Sequence, residues 1–169
     1  MPSLALKDFR LATTFGVVAA CSSLIFAHAP SAQAGCTFLM PIGGNGDGPK
    51  PYIVKKRVQR NKALIGRTNW NTDFVVNQPF TSYKLFFTAD STDSNPGSYP
   101  IEAFLKFSDG SNLRVVNEFM KPPTGTGAQF GPFQTPQGKA VSQVNFKVGA
   151  GNDPGATGFS YRISVQGCD

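Results

Sequence analysis

Residues 159–166 alternate strictly between the two sides of an extended chain: Phe159, Tyr161, Ile163 and Val165 fall on one side, and Ser160, Arg162, Ser164 and Gln166 on the other. A side-chain period of two predicts a half-buried β-strand, because successive Cβ atoms point to opposite faces of the pleat. The pattern repeats at 140–148, where Val144, Phe146 and Val148 oppose Gln143, Asn145 and Lys147, and at 99–107, where Ile101, Ala103, Leu105 and Phe107 oppose Glu102 and Lys106. At 113–119 it places Leu113, Val115 and Phe119 inward against Arg114 and Glu118, with Asn117 interrupting the inward series. Residues 82–88 are almost continuously apolar and predict a central strand, or one covered on both faces. Weaker strands are expected at 52–59 and 74–77, and a short edge strand at 129–133.

No stretch of ten or more residues carries a 3.6-residue apolar stripe, which excludes the crossover helices of a parallel α/β design. Asp109-Gly110 between two good strands is a hairpin signal, whereas 90–98, 121–127 and 149–155 read as long polar loops. Seven or eight short strands with apolar faces have to stack as two layers. The expected fold is an all-β antiparallel two-sheet sandwich with Greek-key or jelly-roll connections, a closed β-barrel being the alternative.

The chain opens with Lys7 and Arg10 ahead of an apolar run over 11–27, then Pro30 and the small-x-small sequence Ala32-Gln33-Ala34. This pattern predicts a secretory signal peptide over 1–34 and a single β-sandwich domain over 35–169, with no membrane span left after processing. Val18-Ala19-Ala20-Cys21 resembles a bacterial lipobox, which would instead make Cys21 a lipid anchor; that cut would leave Leu24, Ile25 and Phe26 on the tether. The expected location is secreted, periplasmic or at the cell surface.

Processing after Ala34 removes Cys21 and His28, leaving Cys36 and Cys168 as the remaining cysteines and no histidine. In an oxidising compartment these two form a disulfide that ties one end of the domain to the other. The lack of an imidazole excludes Ser-His-acid and Cys-His catalysis and histidine-ligated metals. The glutamates beyond the signal segment, Glu102 and Glu118, fall on wet faces and are expected to pair with Arg114 and Lys106 across strands rather than to act as a glycosidase pair. A non-enzymatic protein without a cofactor is the resulting expectation. Calcium is carried as the one metal candidate, on Asp90, Asp93 and Asn95, on Asn45 and Asp47, or on Asn152 and Asp153; none has EF-hand spacing. The glycine-rich run 43–48 lacks the Gly-Lys-Ser/Thr ending of a phosphate loop and reads as a turn.

The formal charge is +6, and Lys50, Lys55, Lys56, Arg57, Arg60, Lys62 and Arg67 fall in a stretch with no acid between Asp47 and Asp73. A local positive field attracts polyanions, but export and the lack of a recognition helix exclude nucleic acid as the working partner. Trp70 stands among Asn69, Asn71 and Asp73, an aromatic face beside polar groups of the kind that packs on sugars, and an exposed Tyr52 or Tyr99 would extend it. The sequence therefore points to a secreted, non-catalytic, carbohydrate-binding module for polysaccharide or another extracellular polyanion. The alternative is a self-assembling structural subunit of a cell-envelope or extracellular assembly, with Phe86 and Phe104 contacting neighbouring molecules.

Overall fold

The computed structural model describes residues 35–43, 46–58, 70–92, 97–149 and 156–169. Residues 1–34 lie outside that set, so the signal segment and Cys21 do too. Every strand expected from alternation is present, preceded by three short ones. In chain order these are β1 (Cys36–Phe38), β2 (Met40–Pro41), β3 (Gly46–Asp47), β4 (Lys50–Val58), β5 (Trp70–Val75), β6 (Ser82–Thr92), β7 (Tyr99–Phe107), β8 (Asn112–Met120), β9 (Gly127–Gln134), β10 (Val141–Val148) and β11 (Phe159–Cys168). At two or three residues each, β1, β2 and β3 are too short to show an alternation, which is why the count exceeds the expected seven or eight.

The topology follows from one hairpin. Strands β7 and β8 pair antiparallel around a turn in which Gly110 takes a positive φ of 83° and Asp109 Oδ1 accepts from both the backbone N–H and the hydroxyl of Ser111. Moving outward along both arms, β6 pairs with β9, β5 with β10 and β4 with β11, so the chain from β4 to β11 is a two-stranded ribbon. The ribbon is rolled on itself by the pairings of β11 with β6 and β10 with β7. The strands thus divide into two sheets: β3-β4-β11-β6-β9, with β1 also paired to β11, and β2-β5-β10-β7-β8. This is an antiparallel two-sheet sandwich resembling a jelly roll rather than a closed barrel.

Between the sheets lies one apolar layer. Leu85, Phe87, Tyr161, Ile163 and Val165 from the first sheet meet Phe74, Ile101, Ala103, Leu105, Val144 and Phe146 from the second, all essentially inaccessible to solvent. The inward residues expected at 99–107, 140–148 and 159–166 are all in this core. At one end four rings gather: Tyr99 meets Phe87 at a centroid distance of 5.2 Å and Phe159 at 4.4 Å, and Tyr161 lies 6.2 Å from Phe87. The hydroxyls of Tyr99 and Tyr161 are buried there without a hydrogen-bond partner among the described residues.

The structure corrects the reading in three places. In β8, Arg114 stands opposite Phe104 but Val116 stands opposite Ala103, so Val115 is an extra, bulged residue. A one-residue insertion flips every later side chain to the other face. Val116 is therefore in the core, while Phe119, expected inward, is 56% exposed. In β6 the strand runs on through Asp90 and Ser91, expected as loop; Ala89 pairs with Tyr161 and Ser91 with Ser160, leaving Asp90 as a bulge. Finally, β5 covers Trp70–Val75 rather than 74–77, because Thr72 and Phe74 are both buried and continue an inward series.

Cys36 and Cys168 are cross-strand partners in β1 and β11 and are joined by a disulfide across a sequence separation of 132. A loop that long, closed in the unfolded chain, is worth about 5 kcal/mol. The double variant Cys36→Ala/Cys168→Ala is expected to lose about that much stability, read as a lower urea midpoint. Tyr161→Phe removes a buried hydroxyl that lacks a described partner, and is expected to raise the unfolding free energy by about 1 kcal/mol in the same titration.

Candidate functional site

Strand alternation divides the residues singled out in the sequence. Lys55 and Arg57 stand opposite Arg162 and Ser160 of β11, whose side chains face away from the core, so both lie on the outer face of the six-stranded sheet. Lys56 points the other way, into the seam between the sheets. Its ammonium donates to the carbonyl oxygen of Asn71 at 2.9 Å and to Thr72 Oγ1 at 2.7 Å. Burial lowers the Lys56 pKa, with the Asp73 carboxylate partly opposing. Lys50 is exposed at the start of β4, and Arg60, Lys62 and Arg67 lie outside the described residues. Consecutive basic residues thus serve two surfaces.

The sugar-site residues are likewise distributed. Asn71 and Asp73 are on β5 in the five-stranded sheet, and Tyr52 is on β4 in the other. Asn69 and the side chain of Trp70 lie outside the description. Asp73 is held from within the sheet: Lys106 Nζ donates to its Oδ1 at 2.7 Å and Asn145 Nδ2 at 2.9 Å. This takes Lys106 away from the glutamates it was expected to meet and buries Asn145, whose side chain was read as wet.

The outer face of the six-stranded sheet carries an aromatic cluster instead. Phe38 stacks on Tyr52 with ring centroids 4.2 Å apart and an interplanar angle of 17°, and Phe86 lies 6.2 Å from Phe38. All three rings are half-buried. Cross-strand register surrounds them with polar groups: Phe38 is opposite Gln166, Gln166 is opposite Lys84, and Phe86 lies between Ser164 and Gln129. One row further on, Asp90 bridges Lys55 Nζ at 3.0 Å and Arg162 Nε at 3.2 Å, and Arg57 Nη1 donates to Ser160 Oγ at 3.2 Å. The bulge in β6 is what turns the Asp90 carboxylate toward these two cations. Of the calcium candidates, Asp90 is thereby committed to two cations, and Asp93, Asn95, Asn45, Asn152, Asp153 and the Asp47 side chain lie outside the described residues. Among the described residues no group of three or more His, Cys, Asp or Glu side chains could hold a metal.

The opposite outer face is an ion-pair lattice. Glu102 accepts a hydrogen bond from Lys147 Nζ and lies 3.6 Å from Arg114 Nη1. With Glu118, Asn117, Phe119 and Lys147 it lines a shallow depression of ≈ 440 Å³. Both glutamates therefore share one concavity, but Glu102 is locked between two cations. The Lys147 hydrogen bond holds its carboxyl below the ordinary glutamate range, so it stays ionised and is ill suited to donate a proton.

Because folding lowers the Glu102 pKa, its contribution to stability is complete above the unfolded value of about 4.3 and is lost as pH falls through the lower folded value. Glu102→Gln is expected to cost about 1 kcal/mol at pH 7 and to flatten the decline in stability below pH 4, measured by urea unfolding across pH.

No protein-family model matches this chain, and no curated protein matches it. Among solved structures it is similar to a chain from the structure of infectious bursal disease virus Gt strain, at 15% identity and a TM-score of 0.24. That match covers 99% of this chain and 42% of the other, so the chain spans less than half the length of that relative.

Proposed function

We propose that this protein is a non-catalytic structural module of an exported assembly, joined to its neighbours through the lateral edges of the five-stranded sheet. The observation that carries the reading is where large apolar side chains remain in solvent. Met40, Ile42 and Val75 are 46%, 52% and 39% exposed at the β2–β5 edge, and Leu113 and Phe119 are 42% and 56% exposed on β8 at the other. The interior is complete without any of them. Apolar side chains grouped in solvent, as Met40 and Val75 are by cross-strand pairing, favour contacts with other molecules, and unlike patches on opposite sides of one sheet suit head-to-tail association.

Export supports the reading from the other direction. A signal segment over 1–34 delivers the domain to an oxidising compartment, where its disulfide is stable. The bulge at Val115 keeps β8 from being a flat edge open to indiscriminate strand pairing, so contact there runs through side chains. Phe104, half-buried among the charged groups of the same face, is available to an edge contact only at its rim.

Sedimentation velocity on the mature chain over a hundredfold concentration range tests this. Concentration-dependent oligomers are expected, with Ile42→Lys and Phe119→Lys each weakening association at least tenfold while the circular-dichroism spectrum is retained. A monomer at every concentration overturns the reading.

A further inference from the structure

We propose that the outer face of the six-stranded sheet binds an acidic polysaccharide, with Phe38, Tyr52 and Phe86 packing against sugar rings and a surrounding set of cations holding the carboxylates. This site is separate from the lateral edges described above and does not depend on them.

The first observation is the cluster itself. The outward positions of β6 and β11 alternate with core residues and read mostly polar, yet three rings converge here, on β1, β4 and β6. The sandwich interior does not use them: the buried core is built from other residues. The near-parallel stack of Phe38 on Tyr52 fixes both rings before any ligand arrives, so little side-chain freedom remains to be lost on binding. Aromatic faces of this kind pack on the C–H faces of pyranose rings, and the amides of Gln129 and Gln166 on the same face supply donors and acceptors for hydroxyls.

The second observation is charge. Among the described side chains on this face, Lys55, Lys84 and Arg162 are accompanied by one carboxylate, Asp90, which sits between Lys55 and Arg162. The face is therefore positive where the opposite face of the molecule balances its carboxylates against lysines and arginines. Lys84, across β11 from Phe38, places an ammonium beside the rings, and the other cations follow in the next rows. From β4 across β11 and β6 to β9 the surface is roughly 14 Å wide, three interstrand spacings, and open, which suits a chain of sugars lying along it rather than a small molecule in a pocket. A neutral glycan would use the rings and leave the cations without a role; a simple polyanion would use the cations and leave the rings idle. A polyuronate uses both.

Affinity electrophoresis and titration calorimetry of the mature, disulfide-bonded chain decide the matter, with alginate as probe, neutral dextran as uncharged control and inorganic polyphosphate as sugar-free polyanion. Alginate is expected to bind, dextran and polyphosphate to bind at least tenfold more weakly, Tyr52→Ala to weaken alginate at least tenfold, and Lys84→Glu at least fivefold with an unchanged urea midpoint. Ile42→Lys and Phe119→Lys are expected to leave alginate binding as it is, so this proposal and the edge-contact reading fail independently. Should Tyr52→Ala not fold, Lys84→Glu alone carries the test. Absence of alginate binding, equal binding of polyphosphate, or full alginate binding by Lys84→Glu overturns the proposal. So does loss of self-association in Tyr52→Ala without alginate retention, which assigns the face to a contact between copies.

Discussion

The structure hangs on the pairing of β11. This strand is hydrogen-bonded to β6 along its whole length on one side, and to β4 and then β1 on the other. It is the last long strand of the chain, yet it is central to its sheet, so the sheet closes around a segment synthesised after all its neighbours. Its inward residues Phe159, Tyr161, Ile163 and Val165 are fully buried, and even Ser160 and Ser164 on the other side are nearly so. The disulfide fastens its far end to β1, where the two cysteines are already register partners, and Asp169 N–H still donates to the Gly35 carbonyl beyond it. A covalent link at that point restrains the strand whose loss would release both of its neighbours at once.

Bulges then decide what each face displays. An uninterrupted strand would send odd and even residues to fixed sides; a single added residue exchanges them. At Val115 this moves Val116 into the core and Phe119 into solvent, and at Asp90 it brings a carboxylate between Lys55 and Arg162. The exposure of Phe119 at one apolar edge and the placing of Asp90 beside the aromatic cluster are consequences of these local irregularities. The bulges cost ladder hydrogen bonds and re-aim the side chains that follow them, on the outer surface as well as in the core.

The two outer faces are chemically different although they are built by one rolled ribbon. On the five-stranded sheet Asp73 and Glu102 are each held by lysine and a further donor, which neutralises the face and rigidifies it. On the six-stranded sheet the cations exceed the carboxylates and the rings of Phe38, Tyr52 and Phe86 are grouped. A sandwich separates such faces by the full thickness of its core, so one can engage a ligand while the edges of the other meet neighbours.

The sequence by itself determined the existence of the eight longer strands and the clasp. Period-two alternation reports burial directly, which is why the core residues of β7, β10 and β11 and the Asp109-Gly110 turn were legible, and with Cys21 assigned to the expected signal segment Cys36 and Cys168 admit one pairing. It did not determine which residues share a surface. Tyr52 reads as a neighbour of the Asn71–Asp73 segment along the chain, but the rolling of the ribbon puts them in different sheets and brings Tyr52 onto Phe38. Lys55, Lys56 and Arg57 read as one patch, but the pleat sends Lys56 into the seam. Only the tertiary structure decides such matters, because strand pairing joins residues tens of positions apart, and a bulge, which depends on the partner strand as much as on its own residues, shows in the chain only as a slip of the alternation, like the one at Asn117, that does not say which residue is the extra one.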